Sequence, residues 1–86
     1  MARRVNLAAV RTEIEDAVEM LCMTESPRAL VGSSKLAIAT ILHRNGLGRS
    51  KVVVRLEGAS LDVQVQFPPS IPEVLHVRVN TGSLGR

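Results

Sequence analysis

Apolar residues recur along this chain at two different periods. Between Leu7 and about Met23, the residues Leu7, Val10, Ile14, Ala17 and Leu21 follow one another at steps of 3, 4, 3 and 4. That spacing puts them on one stripe of a helix, the arrangement that packs against another apolar surface. Val18 and Cys22 widen the stripe, and Glu13, Glu15, Asp16 and Glu19 lie on the other side. Asn6 is placed to cap the first turn with its side-chain oxygen. Arg11 and Glu15 form a favourable i,i+4 pair.

The stretch "TESPRALVGSS" interrupts this pattern. Gly32, Ser33 and Ser34 suggest a turn, so a second helix is expected from about Ser34 to Asn45, with Leu36, Ala37, Ile38, Ile41 and Leu42 apolar. One unbroken helix from Pro27 is the alternative, because Ser26 suits a cap and proline suits the first helical position. The second helix should end within "HRNGLGRSKVVVR", His43 to Arg55. Gly46 fits the left-handed position just past a helix, with Leu42 and Leu47 as the apolar pair that closes such a cap. His43 and Arg44 fall in the last turn, where positive charge is favoured. The basic and glycine-rich character of the stretch also raises a phosphate site. Phosphate loops lead into a helix N-terminus, however, whereas this segment follows a helix C-terminus, and its spacing is not that of a P-loop.

From Lys51 the period becomes two. Val52, Val54 and Leu56 share a face opposite Lys51, Val53 and Arg55. Glu57 to Ser60 reads as a turn, after which Leu61, Val63, Val65 and Phe67 alternate with Asp62, Gln64 and Gln66. Two such runs around a short glycine-containing turn predict a β-hairpin. "PPSIP" stops the second strand, because proline cannot donate to a ladder. Leu75, Val77 and Val79 alternate with His76 and Arg78 in a third run. The order is α-α-β-β-β. It predicts an α+β fold with one or two N-terminal helices packed on one face of a three-stranded antiparallel sheet. The other face, carrying Arg55, Gln64, Gln66, His76 and Arg78, should be solvated.

Eighty-six residues allow one small domain, 1–86, with arms expected at 1–5 and 80–86. Residues AVILMFWYC make up 45%, too apolar for a disordered chain, and with Phe67 as the one aromatic the core must be aliphatic. A net charge of +3 is compatible with nucleic acid, an acidic partner or simple solubility. Cys22 is the sole cysteine, so no intramolecular disulfide forms and a reducing compartment is expected. No run approaches the roughly 18 apolar residues of a membrane span. "MARRVNLAAVR" places basic residues before an apolar patch, but the patch is short and "TEIED" follows, so no secretory signal is expected.

Little here looks chemical. His43, His76 and Cys22 have no metal-ligand spacing, and a lone cysteine on a helix is more often a small core hydrophobe. The acidic residues of the first helix read as its solvated face. "GSSK" (Gly32 to Lys35) lacks the SxxK spacing of Ser-Lys enzymes. Pro69-Ser70-Ile71-Pro72 matches PxxP but reads as a rigid connector between strands. No catalytic, cofactor-binding or metal-binding residue is assigned, and no cofactor is expected.

The leading expectation is a non-enzymatic structural or assembly subunit. It would associate with itself or another protein through the helix seam Leu7, Val10, Ile14, Val18 and Leu21, and through open sheet edges. A small virion-type structural protein is one case, which gives a cytoplasmic or virion-type location. The alternative is a basic nucleic-acid-binding module of winged-helix-like organisation, with Arg44, Arg49, Lys51 and Arg55 as contacts and Glu57 to Ser60 as wing tip. Against it stand few basic or amide side chains on the would-be recognition helix, acidic residues at the wing, and no aromatic to stack on bases.

Overall fold

The computed structural model describes residues 6–80. Helix α1 spans Leu7–Thr24, helix α2 spans Pro27–Arg44, and three strands follow: β1 Lys51–Glu57, β2 Ser60–Gln66 and β3 Val74–Asn80. The α-α-β-β-β order and the antiparallel sheet expected from the two periods are both present. The expected arms at 1–5 and 80–86 lie outside the described residues, apart from Asn80, which is the last residue of β3.

Asn6 caps α1 as its side chain predicted, accepting from the Ala9 N–H at 3.2 Å. Two residues, Glu25 and Ser26, link the helices. The pairs Glu25–Ser33 and Glu13–Arg44 join opposite ends, so α1 and α2 form an antiparallel hairpin. The start expected near Ser34 is corrected: α2 is one helix from Pro27, with Pro27 in its first turn. Gly32 stays helical because the buried positions Leu30, Ser34, Ile38, Ile41 and Leu42 hold one stripe through it. Packing overrides the local preference of a Gly-Ser-Ser run to turn. The Ser34 hydroxyl in that stripe has no hydrogen-bond partner among the described residues.

Helix α2 ends as the sequence predicts. Gly46 sits at φ +74°. Its N–H donates to His43 O at 3.1 Å, and the Leu47 N–H donates to Leu42 O at 2.7 Å. These are the two bonds of a Schellman cap, and Leu42 and Leu47 are both buried beside it.

The sheet order is β1-β2-β3, with β2 central. Gly58 at φ +58°, followed by Ala59 at negative φ, makes a two-residue turn of type II′. That turn fixes the register, pairing Glu57 with Ser60, Arg55 with Asp62 and Val53 with Gln64. After Phe67, Pro68 to Ile71 make a second turn, with the Ile71 N–H donating to Pro68 O at 2.8 Å. Helix α1 lies against β3 and α2 against β1. The buried apolar side chains of helices and sheet form one cluster, aliphatic but for Phe67.

Candidate functional site: the open face and the edges of the sheet

The helices cover one face of the sheet and leave the other in solvent. Residues on that open face line up in rows across the strands, set by the register: Lys51–Gln66–Val74, Val53–Gln64–His76 and Arg55–Asp62–Arg78. The solvated face expected from Arg55, Gln64, Gln66, His76 and Arg78 is therefore formed. Asp62 is its electrostatic centre. Its carboxylate meets the His76 ring Nε2, and the Arg78 Nε lies 3.7 Å away. The hydrogen bond to His76 does most to hold the Asp62 carboxyl below its usual range, with help from the charges of His76, Arg78 and Arg55 and against partial desolvation.

The two sheet edges differ. At β3 the core-side residues Leu75, Val77 and Val79 are all buried under α1. At β1 only Val54 is buried; Val52 is half-buried and Leu56 keeps 36% of its surface exposed. Leu56 lies in a row with Leu61 and Val79, which are covered. Its exposure comes from its place at the edge, where among the described residues no strand shields its outer side. On the open face of the same strand Val53 is 41% exposed. A groove of about 380 Å³ runs beside this edge between α2 and β1, lined by Ala39, Leu42, His43, Gly48, Ser50 and Val52. A second, shallower groove of about 640 Å³ lies between the helices, where Ala17, Leu36, Ala37 and Ile41 are flanked by Glu13, Asp16 and Arg44.

The residues expected from sequence fall in different places. Val10, Ile14 and Val18 lie in the chain's own core at 1%, 0% and 0% exposure, and Leu7 and Leu21 pack partly buried against it. The seam is occupied by this chain's own α2 and sheet, so the expectation that it meets a second chain is corrected for those three residues. The exposed large apolar side chains on the helices are instead Met20, Met23 and Leu36. Of the basic set, Arg44 donates to Glu13 at 2.8 Å and Arg55 stands 4.0 Å from Glu57. Arg49 is exposed in the turn after the α2 cap, and Lys51 begins β1 on the open face.

Cys22 lies near the α1 end of the helix hairpin, His43 at the opposite end in the last turn of α2, and His76 on the open face of the sheet. The fold does not bring the thiol to either imidazole. Burial, helped by Glu19, pushes the Cys22 thiol up and keeps it protonated. Among the described residues no group of His, Cys, Asp and Glu could hold a metal ion, and no helix is long and apolar enough to cross a membrane. The sequence signal for the edge site is the apolar run Val52-Val53-Val54 flanked by Lys51 and Arg55, but which strands form the edges is visible only with the sheet order. Comparison with protein-family models, with curated proteins and with solved structures found no match for this chain.

Proposed function

We propose that the chain is a non-enzymatic structural subunit that self-associates through an exposed edge of its sheet. The observation that carries this reading is β1: seven residues, unbulged, with Val53 and Leu56 partly exposed and, among the described residues, no strand on its outer side. Isolated proteins blunt such edges with proline, bulges, inward charges or charged side chains along the strand; β1 has only the last, Lys51, Arg55 and Glu57, of mixed sign, and without the others an edge remains a template for another strand. Association would cover the residual apolar surface of Val52, Val53 and Leu56 and satisfy the outer backbone groups of the strand. Val10, Ile14 and Val18 of the helix seam offer no surface to a second chain, since they lie in this chain's own core. A small virion-type structural protein, or a cytoplasmic assembly component, belongs to this class. The nucleic-acid reading has less to draw on, because Arg44 and Arg55 both stand beside carboxylates.

The test is the mass of the protein in solution, by light scattering and sedimentation, across concentration and salt. A concentration-dependent oligomer that persists in salt is expected. A monomer at every concentration up to the millimolar range overturns the reading. Salt-sensitive retention of DNA or RNA by that monomer would point to a nucleic-acid module instead, because released counterions drive such binding.

A further inference from the structure

We infer that strand β1 pairs antiparallel with β1 of a second copy about a two-fold axis at Val54, giving a continuous six-stranded sheet. The pairing rests on the association reading above and specifies its partner, edge and register.

Backbone geometry limits the registers. A two-residue hairpin loop makes its flanking residues, Glu57 and Ser60, a hydrogen-bonded pair. Alternation then turns the N–H and C=O groups of Lys51, Val53, Arg55 and Glu57 towards β2 and those of Val52, Val54 and Leu56 outward. The outward groups can pair only with outward groups of the other copy. Centring the two-fold on Val54 matches Val52 with Leu56, Val54 with Val54 and Leu56 with Val52, and uses the whole strand. A slip by one residue would set outward groups against inward ones and reverse the faces.

Side chains select the same register. On the helix-covered face the half-buried Val52 meets the exposed Leu56 of the second copy, which covers both. On the open face Lys51 stands opposite Glu57 of the second copy, twice by symmetry, and Val53 stands against the aliphatic stem of Arg55. Lys51 and Glu57 are both exposed, and about 20 Å of extended strand separates them within one chain, so they cannot pair with each other there; the one internal ion-pair partner of Glu57 among the described residues is the exposed Arg55, 4.0 Å away. The other edge is not self-complementary. Pairing β3 with itself about Val77 sets His76 against Arg78 and Val74 against Asn80. Pairing β1 with β3 of another copy with the covered faces on one side, from Lys51 against Asn80 onward, sets the outward groups of Val52, Val54 and Leu56 against Val79, Val77 and Leu75, whose groups already face β2, so no ladder forms. Charge complementarity, together with exposed apolar residues on the β1 edge alone of the two core-facing rows, assigns β1 to β1.

The experiment uses full-length chains with charge reversals at exposed positions, Lys51→Glu and Glu57→Lys, singly, together in one chain, and as a mixture of the two single variants. Circular dichroism checks that each is folded, and sedimentation measures the dimer constant. Each single change should weaken the dimer by about tenfold or more, since both symmetric pairs become like-charged. The double variant should recover wild-type affinity. The mixture should form a heterodimer tighter than either variant forms with itself. If the wild type associates and the single variants associate equally well, or are weakened without recovery in the double variant and the mixture, this register is wrong while self-association by another surface stands. If the wild type is monomeric at every concentration, both the register and self-association fall.

Discussion

Two glycines in and after α2 should respond to the same substitution with opposite sign. Gly46 lies at φ +74°, while Gly32 is exposed in the body of the helix, and at both a new Cβ would meet nothing within 4 Å. Sterics with neighbours therefore drop out, leaving the backbone alone. At Gly46 an alanine takes on a left-handed conformation that costs about 1–2 kcal/mol, partly offset by about 0.4–1 kcal/mol of lost unfolded-state entropy. The net effect is a destabilisation of about 1 kcal/mol. At Gly32 the helical backbone already suits alanine, and the change should stabilise by about 1 kcal/mol. For a chain of this length each kilocalorie moves the midpoint by about 4–8 °C. Urea and thermal unfolding followed by circular dichroism would read both, at one fixed protein concentration because association adds to apparent stability. A neutral or stabilising Gly46→Ala would refute the Schellman cap. The same sign at both glycines would refute the claim that backbone geometry separates them.

Val18→Glu should unfold the protein rather than dissociate it, because Val18 is fully buried in the core and an unpaired carboxylate there costs on the order of the whole stability of a small domain. A native-like circular dichroism spectrum with a reduced mass would instead return the helix seam to a role between chains. Acid should act partly through Asp62, whose carboxyl is lowered mainly by its hydrogen bond to His76. A lowered folded value means that Asp62 stabilises the fold above its unfolded value, near pH 4, and loses that contribution as pH falls through the folded value. Asp62→Asn should thus be less stable than wild type at pH 6, with the gap closing towards pH 2. A gap that is constant with pH would remove Asp62 from the acid response.

The parts of the fold that local chemistry dictates could be read from the sequence. Asn6 and Gly46 mark helix ends through their own backbone and side-chain preferences, and the alternation after Lys51 reports a sheet with one face covered. Local chemistry favours a start of α2 near Ser34 because Gly32-Ser33-Ser34 is a good turn in isolation, whereas burial of Leu30 and Ser34 in the core holds the segment helical. In the sequence Val18 only widens the stripe, one step off its strict spacing, yet it is fully buried. A helix that touches both α2 and β3 buries a wider arc than a strict heptad seam, and periodicity alone cannot say whether the covering surface belongs to the same chain. The site was less legible than the fold. The short turn fixes Arg55 opposite Asp62, but bringing His76 and Arg78 to the same carboxylate depends on a seven-residue connection whose length sets no register. The Glu13–Arg44 bridge likewise needs the helix hairpin to exist first.

The contacts among the elements form a closed ring: α1 on α2, α2 on β1, β1 on β2, β2 on β3, and β3 back on α1. All but the last join neighbours in sequence, through links as short as two residues. Loop closure for those steps is entropically cheap, and a topology of this kind belongs with rapid folders rather than with slow β-sandwiches. The helical hairpin and the strand meander can each take shape without waiting for the other. The contact of α1 with β3 spans nearly the whole described chain and carries the largest entropic barrier, so it governs when the two halves become one cooperative unit. Until it forms, the apolar faces of both halves are exposed together, and the interval before ring closure is when this chain is most open to aggregation.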